Sequence, residues 1–114
     1  MAYRQALGRW GEDRVVRWYR RRGFEVLERN WRCRHGELDV IVRRGPVVAV
    51  CEVKTRSSLA FGTPAEAVGW QKQRRIRRLA ALWLSEQERR GAVQLRFDVA
   101  EVVGRELRVI ESAF

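Results

Sequence analysis

Two short runs, Gly36-Glu37-Leu38-Asp39-Val40 and Val48-Ala49-Val50-Cys51-Glu52-Val53-Lys54-Thr55, are apolar enough for buried β-strands, yet each carries ionic side chains in its middle. A plain structural strand would carry aliphatics there. Burying a charge is costly unless it is paired or holds a metal, so three carboxylates and an ammonium here demand a fold that gathers them. The intervening Arg43-Arg44-Gly45-Pro46 is a turn signal. With an even-length loop, Val42 faces Val47, Asp39 faces Val50 and Glu37 faces Glu52. Residues directly opposite share a face, so Glu37, Asp39, Glu52 and Lys54 project to one side, and Val47, Ala49, Cys51 and Val53 to the other. An odd-length loop or a bulge would break the pattern. Like charges directly opposite destabilise a sheet, so the arrangement makes sense with a cation between them.

The segments on either side supply the layers. Tyr3, Leu7, Gly11, Val15 and Trp18 recur at steps of three and four, predicting a helix from about Tyr3 to Arg22. Glu12 lies at the edge of this stripe, suited equally to an i,i+4 salt bridge or to a functional role. Gly8 and Gly11 beside it cost helix stability, which points to a close approach to the backbone there. Gly23 ends the helix, Phe24–Asn30 reads as a first strand, and Asn30–His35 as a connection whose Trp31 suits the core first and a base stack second. Thr63-Pro64-Ala65-Glu66 combines a hydroxyl cap, a proline at the first helical position and a capping-box glutamate. That second helix is expected to run to about Arg90 and stop at Gly91, with Gly69 as a break or bend. Its stripe of Ala65, Val68, Ile76, Leu79, Ala80 and Trp83 leaves Lys72 on the buried line, where its ammonium either snorkels to water or serves the site. Arg74, Arg75, Arg77 and Arg78 fill the more exposed directions. Val93–Val103 and Glu106–Ile110 read as strands, with Asp98 in a structural hydrogen bond. The order α-β-β-β-α-β-β, with a helical crossover to a parallel neighbour, implies an α/β fold, a mixed sheet flanked by helices. At 114 residues, 1–114 is expected to be one domain.

Charge narrows the function. Lys and Arg total 24 against 14 Asp and Glu, a formal charge of +10 and a pI near 11.2, and nearly all the cations are arginine. Such a chain suits nucleic acid, because neutralising phosphates releases counterions and the guanidinium fork donates two bonds at once. A basic surface kept for solubility is the bland alternative. Cys33, Cys51 and the single His35 offer no zinc-binding spacing. No run reaches the ~20 apolar residues of a membrane helix, and no signal-peptide stretch opens the chain, so a cytoplasmic protein away from membranes is expected.

The acids thus read as Asp39, a gap, then Glu52-Val53-Lys54, on a hairpin that follows a helix bearing Glu12. This resembles the PD-(D/E)xK nuclease superfamily. More narrowly, the chain resembles the YraN-like family, UPF0102, which is similar to archaeal Holliday junction resolvases. The resemblance is carried by Gly11-Glu12, Arg29-Asn30-Trp31-Arg32, Gly36-Glu37-Leu38-Asp39, Cys51 to Arg56, Pro64 to Val68, Lys72 and Arg96-Phe97-Asp98-Val99. Leu38 stands where the superfamily pattern has proline. The resemblance implies a restriction-endonuclease-like αβββαβ core, here with an extra C-terminal strand. It implies Asp39 and Glu52 as ligands of Mg²⁺ or Mn²⁺, with the Val53 carbonyl as a third donor and Glu12 as an additional acid. Lys54 would orient or deprotonate the attacking water and stabilise charge in the transition state. Glu37, Gln71 and Lys72 are candidates to support these groups, with capping of the loop after Gly36 as the alternative for Glu37, and Arg56, Arg74, Arg75 and Arg78 are candidates to contact phosphate. The partner implied is nucleic acid, DNA first. A homodimer, with exposed aromatics such as Trp10 or Trp70 at its interface, is compatible with the same resemblance. Two classes of function follow: an Mg²⁺-dependent endonuclease acting on branched or structured DNA, and a non-catalytic nucleic-acid-binding module on a nuclease scaffold.

Overall fold

Alternation of apolar side chains builds five strands with grease on both faces of the central three, and a helix covers each face. The computed structural model describes residues 2–56, 68–87 and 91–114. The elements are α1 (Ala2–Arg21), β1 (Glu25–Cys33), β2 (Gly36–Arg44), β3 (Val47–Arg56), α2 (Trp70–Ser85), β4 (Gln94–Val103) and β5 (Glu106–Ile110). The strands lie in sequence order in one mixed sheet. Only β3 and β4 are parallel, as a crossover connection through α2 requires; the other pairs are antiparallel. The expected α/β order is therefore the observed one.

On one face Val15, Val16 and Tyr19 of α1 pack on Val40, Val42, Ala49, Cys51, Ala100 and Val102. On the other, Ile76, Leu79, Ala80 and Trp83 of α2 pack on Leu38, Ile41, Val48, Val50, Phe97 and Val99. Trp31 joins this second layer, and Cys51 is fully buried. Asp98, also fully buried, ties three elements together. It accepts hydrogen bonds from the Tyr19 hydroxyl on α1, from Arg96 through two nitrogens, and from the backbone of Ser112 beyond β5. Burial, with the charge of Cys51 and Asp98 nearby, pushes the Tyr19 hydroxyl pKa far up, so it remains a donor. Among the described residues no helix is long and apolar enough to cross a membrane.

Several sequence expectations are corrected. The first strand does not end at Asn30: it runs on to Cys33, and the expected connection shrinks to the turn at Arg34-His35. Asn30 takes a left-handed φ of 52°, a conformation asparagine tolerates better than most residues. That kink lets the strand turn without breaking. The β2–β3 hairpin closes on a two-residue loop, Gly45-Pro46, with Gly45 at φ 58°. Arg44 therefore pairs with Val47, and Ile41, not Asp39, lies opposite Val50. The slip is two residues, an even number, so the faces of the paired ladder up to Val40↔Cys51 stay as expected, and Asp39 and Glu52 line one cleft. Glu37 does not face Glu52; it pairs with Arg32 of β1. In α2, Gly69 is the N-cap rather than a bend, and the helix ends at Ser85, not Arg90. Beyond Leu84 the sequence Ser85-Glu86-Gln87 offers no apolar side chain to bury, so packing no longer holds the helix. The capping box at Thr63–Glu66 lies outside the described residues.

Candidate active site

The β2–β3 ladder stops at Val40↔Cys51, and beyond it the two strands splay. The backbone N–H of Val53, freed from the ladder, donates to Asp39 Oδ2 at 2.8 Å. Glu52, only 8% exposed, turns to the α2 side, as Val48 and Val50 do four and two residues earlier. There its Oε1 lies 2.6 Å from Lys72 Nζ and 3.6 Å from Lys54 Nζ. Lys54 and Lys72 are the only two lysines among the chain's 24 basic residues. Arginine stays charged at any physiological pH, whereas lysine shifts its pKa readily when buried. A chain that otherwise uses arginine has put its two titratable cations on one carboxylate.

The splay also lets α1 reach this end of the sheet. A Cβ on Gly11 would fall 2.1 Å from Thr55 Oγ1, so only glycine allows α1 to lie this close to β3. The next residue, Glu12, is thereby brought to the strand ends. Its Oε1 accepts from Asn30 Nδ2 at 2.9 Å and lies 3.6 Å from Arg29 Nη2, which also binds Asp13 at 2.7 Å. The kinked Asn30 thus orients the acid that α1 delivers. The closeness foreseen at the two helix glycines is real at Gly11. Among the described residues, a Cβ at Gly8 would meet nothing within 4 Å.

Electrostatics follow from this crowding. Burial, then the charge on Glu52 and, more weakly, on Glu12, raises the Asp39 pKa to about 7 against the pull of the Val53 amide. Burial, and then Lys72, lowers the Lys54 pKa, with Glu52 opposing. Burial also works against the Lys72 ammonium, but its bond to Glu52 outweighs this and its pKa is raised.

These groups open into a cleft of roughly 210 Å³ lined by Gly36, Glu37, Asp39, Glu52, Lys72 and Arg75 among others. Glu37 belongs to this cleft but is ion-paired with Arg32 at 3.0 Å and half exposed. Gln71, Arg74, Arg75 and Arg78 line a neighbouring cleft with His35 and Trp70. Arg56 stands apart from them, 3.8 Å from Glu101. Among the described residues, no three His, Cys, Asp or Glu side chains are grouped closely enough to enclose a metal ion unaided. Asp39 and Glu52 offer hard oxygen donors on adjacent strands, and the raised Asp39 pKa marks a charge there that wants a cation. That donor set fits Mg²⁺, which keeps several waters and needs one or two carboxylates plus substrate phosphates.

One acid escaped the sequence reading. Glu101 is 1% exposed, and among the described residues neither carboxylate oxygen has a hydrogen-bond partner. It pairs with Lys54 in the parallel β3–β4 ladder and shares the α2 face with Phe97 and Val99, four and two residues before it. An acid in an apolar alternation is the same signal that exposed Glu52. Applied to β4, it finds Glu101.

The chain matches the model of the Uncharacterised protein family UPF0102 over residues 11–102. It is 55% identical over 100 residues to a UPF0102 protein of Nocardia farcinica (strain IFM 10152), covering 88% of this chain and 78% of that one. It is 48% identical over 103 residues to a UPF0102 protein of Rhodococcus opacus (strain B4), covering 90% and 86% of the two chains. A UPF0102 protein of Frankia casuarinae is 52% identical over 99 residues, covering 87% of this chain and 83% of its own. The matched span starts at the glycine beneath Thr55 and runs almost to the end of β4, taking in the whole cleft, and on it the chain belongs to the UPF0102 family.

Proposed function

We propose that this chain is a metal-dependent endonuclease that hydrolyses phosphodiester bonds in branched or otherwise structured DNA. The observation that carries the reading is the set at the β2–β3 splay: Asp39 with its pKa near 7, and Glu52 held by the chain's only two lysines. Asp39 and Glu52 would hold Mg²⁺ or Mn²⁺, with Glu12 as a further acid acting directly or through water. Bound there, such an ion would polarise a phosphoryl oxygen and make a coordinated water more acidic. Lys54 orients the attacking water, and its lowered pKa suits it to take a proton. Lys72 balances the charge of Glu52 and, at the mouth of the cleft, lies ready to meet an incoming phosphate. The formal charge of +10 draws the polyanion in.

A non-catalytic nucleic-acid-binding module is the second reading. It is favoured by the lysines that already neutralise Glu52. The Glu52→Gln protein separates the two. Loss of Mg²⁺-dependent cleavage with DNA binding kept or tightened supports the nuclease; cleavage that survives the substitution removes Glu52 from the chemistry.

A further inference from the structure

Next to the acidic cleft lies a larger one of roughly 410 Å³, lined by Trp70, Gln71, Arg74, Arg78 and His35, and the two share Arg75 and Leu79. They adjoin at Arg75 and Leu79, where α2 packs close against Gly36. Gly36, at φ 144°, makes that possible: a Cβ there would stand 3.1 Å from Leu79 Cδ1. Trp70, Arg74 and Arg78 follow one another at i, i+4 and i+8, a row with about 6 Å of axial rise between neighbours. That spacing is on the order of the distance between successive phosphates of an extended strand. Trp70 is 63% exposed, although the Arg74 guanidinium lies 5.7 Å from its ring centre.

We infer that this second cleft seats a single strand of nucleic acid, with an unpaired base stacked on Trp70 and the backbone running along Arg74, Arg78 and Arg75 toward Asp39 and Glu52. Cationic grooves with an aromatic platform bind single strands because every base has a π face to stack. A duplex offers no such face; its bases present only edges in the grooves. Trp10 supplies an internal comparison. It too is exposed, at 41%, with Arg14 5.1 Å from its ring centre. Trp10 and Arg14 line neither of these two clefts, so the same pair of residue types there predicts no base-binding role.

This inference rests on the proposed nuclease reading only for the direction of the strand, toward the acids. Its test therefore uses binding without turnover. In EDTA, fluorescence anisotropy compares a labelled oligothymidylate with a blunt duplex of equal length, against wild type, Trp70→Ala, Trp70→Phe and Trp10→Ala. Trp70→Ala is expected to weaken single-strand binding roughly five- to hundredfold, the range for one lost base stack. Duplex binding, made through phosphates, should change by less than about twofold. Trp70→Phe should recover most of the loss, and Trp10→Ala should behave as wild type. Equal losses for single strand and duplex, or none for either, overturn the inference. So does a wild-type dimer in sedimentation that Trp70→Ala dissociates, since the ring would then belong to a second copy. A protein that binds single strands through Trp70 but never cleaves leaves the inference standing and removes the nuclease reading. Cleavage with binding indifferent to Trp70 does the reverse.

Discussion

Replacing Asp39 by asparagine should stabilise the metal-free protein above pH ~4, and most fully at neutral and alkaline pH. In the folded chain the Asp39 pKa is raised from 3.8 to about 7, first by burial and then by Glu52. A raised carboxyl binds its proton more tightly when folded than when unfolded. Its contribution to stability is thus complete below pH ~4 and is lost as pH rises through about 7. Each pKa unit is worth about 1.4 kcal/mol, so the full shift sets a ceiling of about 4 kcal/mol. Strand adjustment and water entry at the cleft mouth should bring the measured effect to roughly 2–4 kcal/mol, a large share of a 5–15 kcal/mol total. Asparagine keeps an oxygen for the Val53 amide and sheds the charge. The assay is urea unfolding in EDTA, followed by tryptophan fluorescence from pH 4 to pH 8. The stability of Asp39→Asn minus that of wild type should grow by that amount across the range. Mg²⁺ added at pH 8 should stabilise wild type, by about 2.7 kcal/mol at a hundred times its dissociation constant, and leave the variant almost unmoved. Parallel pH curves for the two proteins would refute the claim that Asp39 sits where a charge needs a cation.

Gly11→Ala should lower stability by roughly 1–3 kcal/mol, because its Cβ collides with Thr55 and forces overpacking. Gly8→Ala meets nothing and should gain up to about 1 kcal/mol from helix propensity; thermal melts of the pair decide whether close approach or propensity governs α1. Lys54→Arg keeps the positive charge but cannot surrender a proton. DNA binding should therefore persist while cleavage falls by roughly 10²–10⁴, the range for a lost general base, and a variant that cleaves as wild type would show that Lys54 supplies charge alone.

Much of this was legible in the sequence because the signals were local or periodic. Ionic residues set into greasy alternation singled out Asp39, Glu52 and Lys54, and an error in loop length, being an even number, kept the faces of the paired ladder. Lys72 betrayed itself by falling on the apolar line of its helix. The contacts that sequence could not supply depend on the approach of distant elements. Nothing local says that Asn30 turns left-handed and reaches Glu12, or that Glu37 is drawn off by Arg32 on the next strand. The pairing of Trp70 with three arginines beside the acids needs α2 lowered onto Gly36, a property of the packed sheet. Glu101 was readable and was missed, since β4 was read for its alternation but not for the acid that interrupts it. The helix end at Ser85 was misjudged because polar residues of good helix propensity continue past the last side chain that packing can hold.

The central claim is that the splay between β2 and β3 is a metal-dependent cleavage site. The most direct measurement incubates the protein with a panel of four-way-junction, flap, single-stranded and blunt duplex DNA, in Mg²⁺, Mn²⁺ or EDTA, beside the Glu52→Gln protein. The account predicts that wild type cuts branched or flapped substrates with either metal. It predicts no cutting in EDTA, and Glu52→Gln that binds but does not cut. Absence of cutting on every substrate in either metal, or cutting that persists in EDTA or in Glu52→Gln, would contradict it.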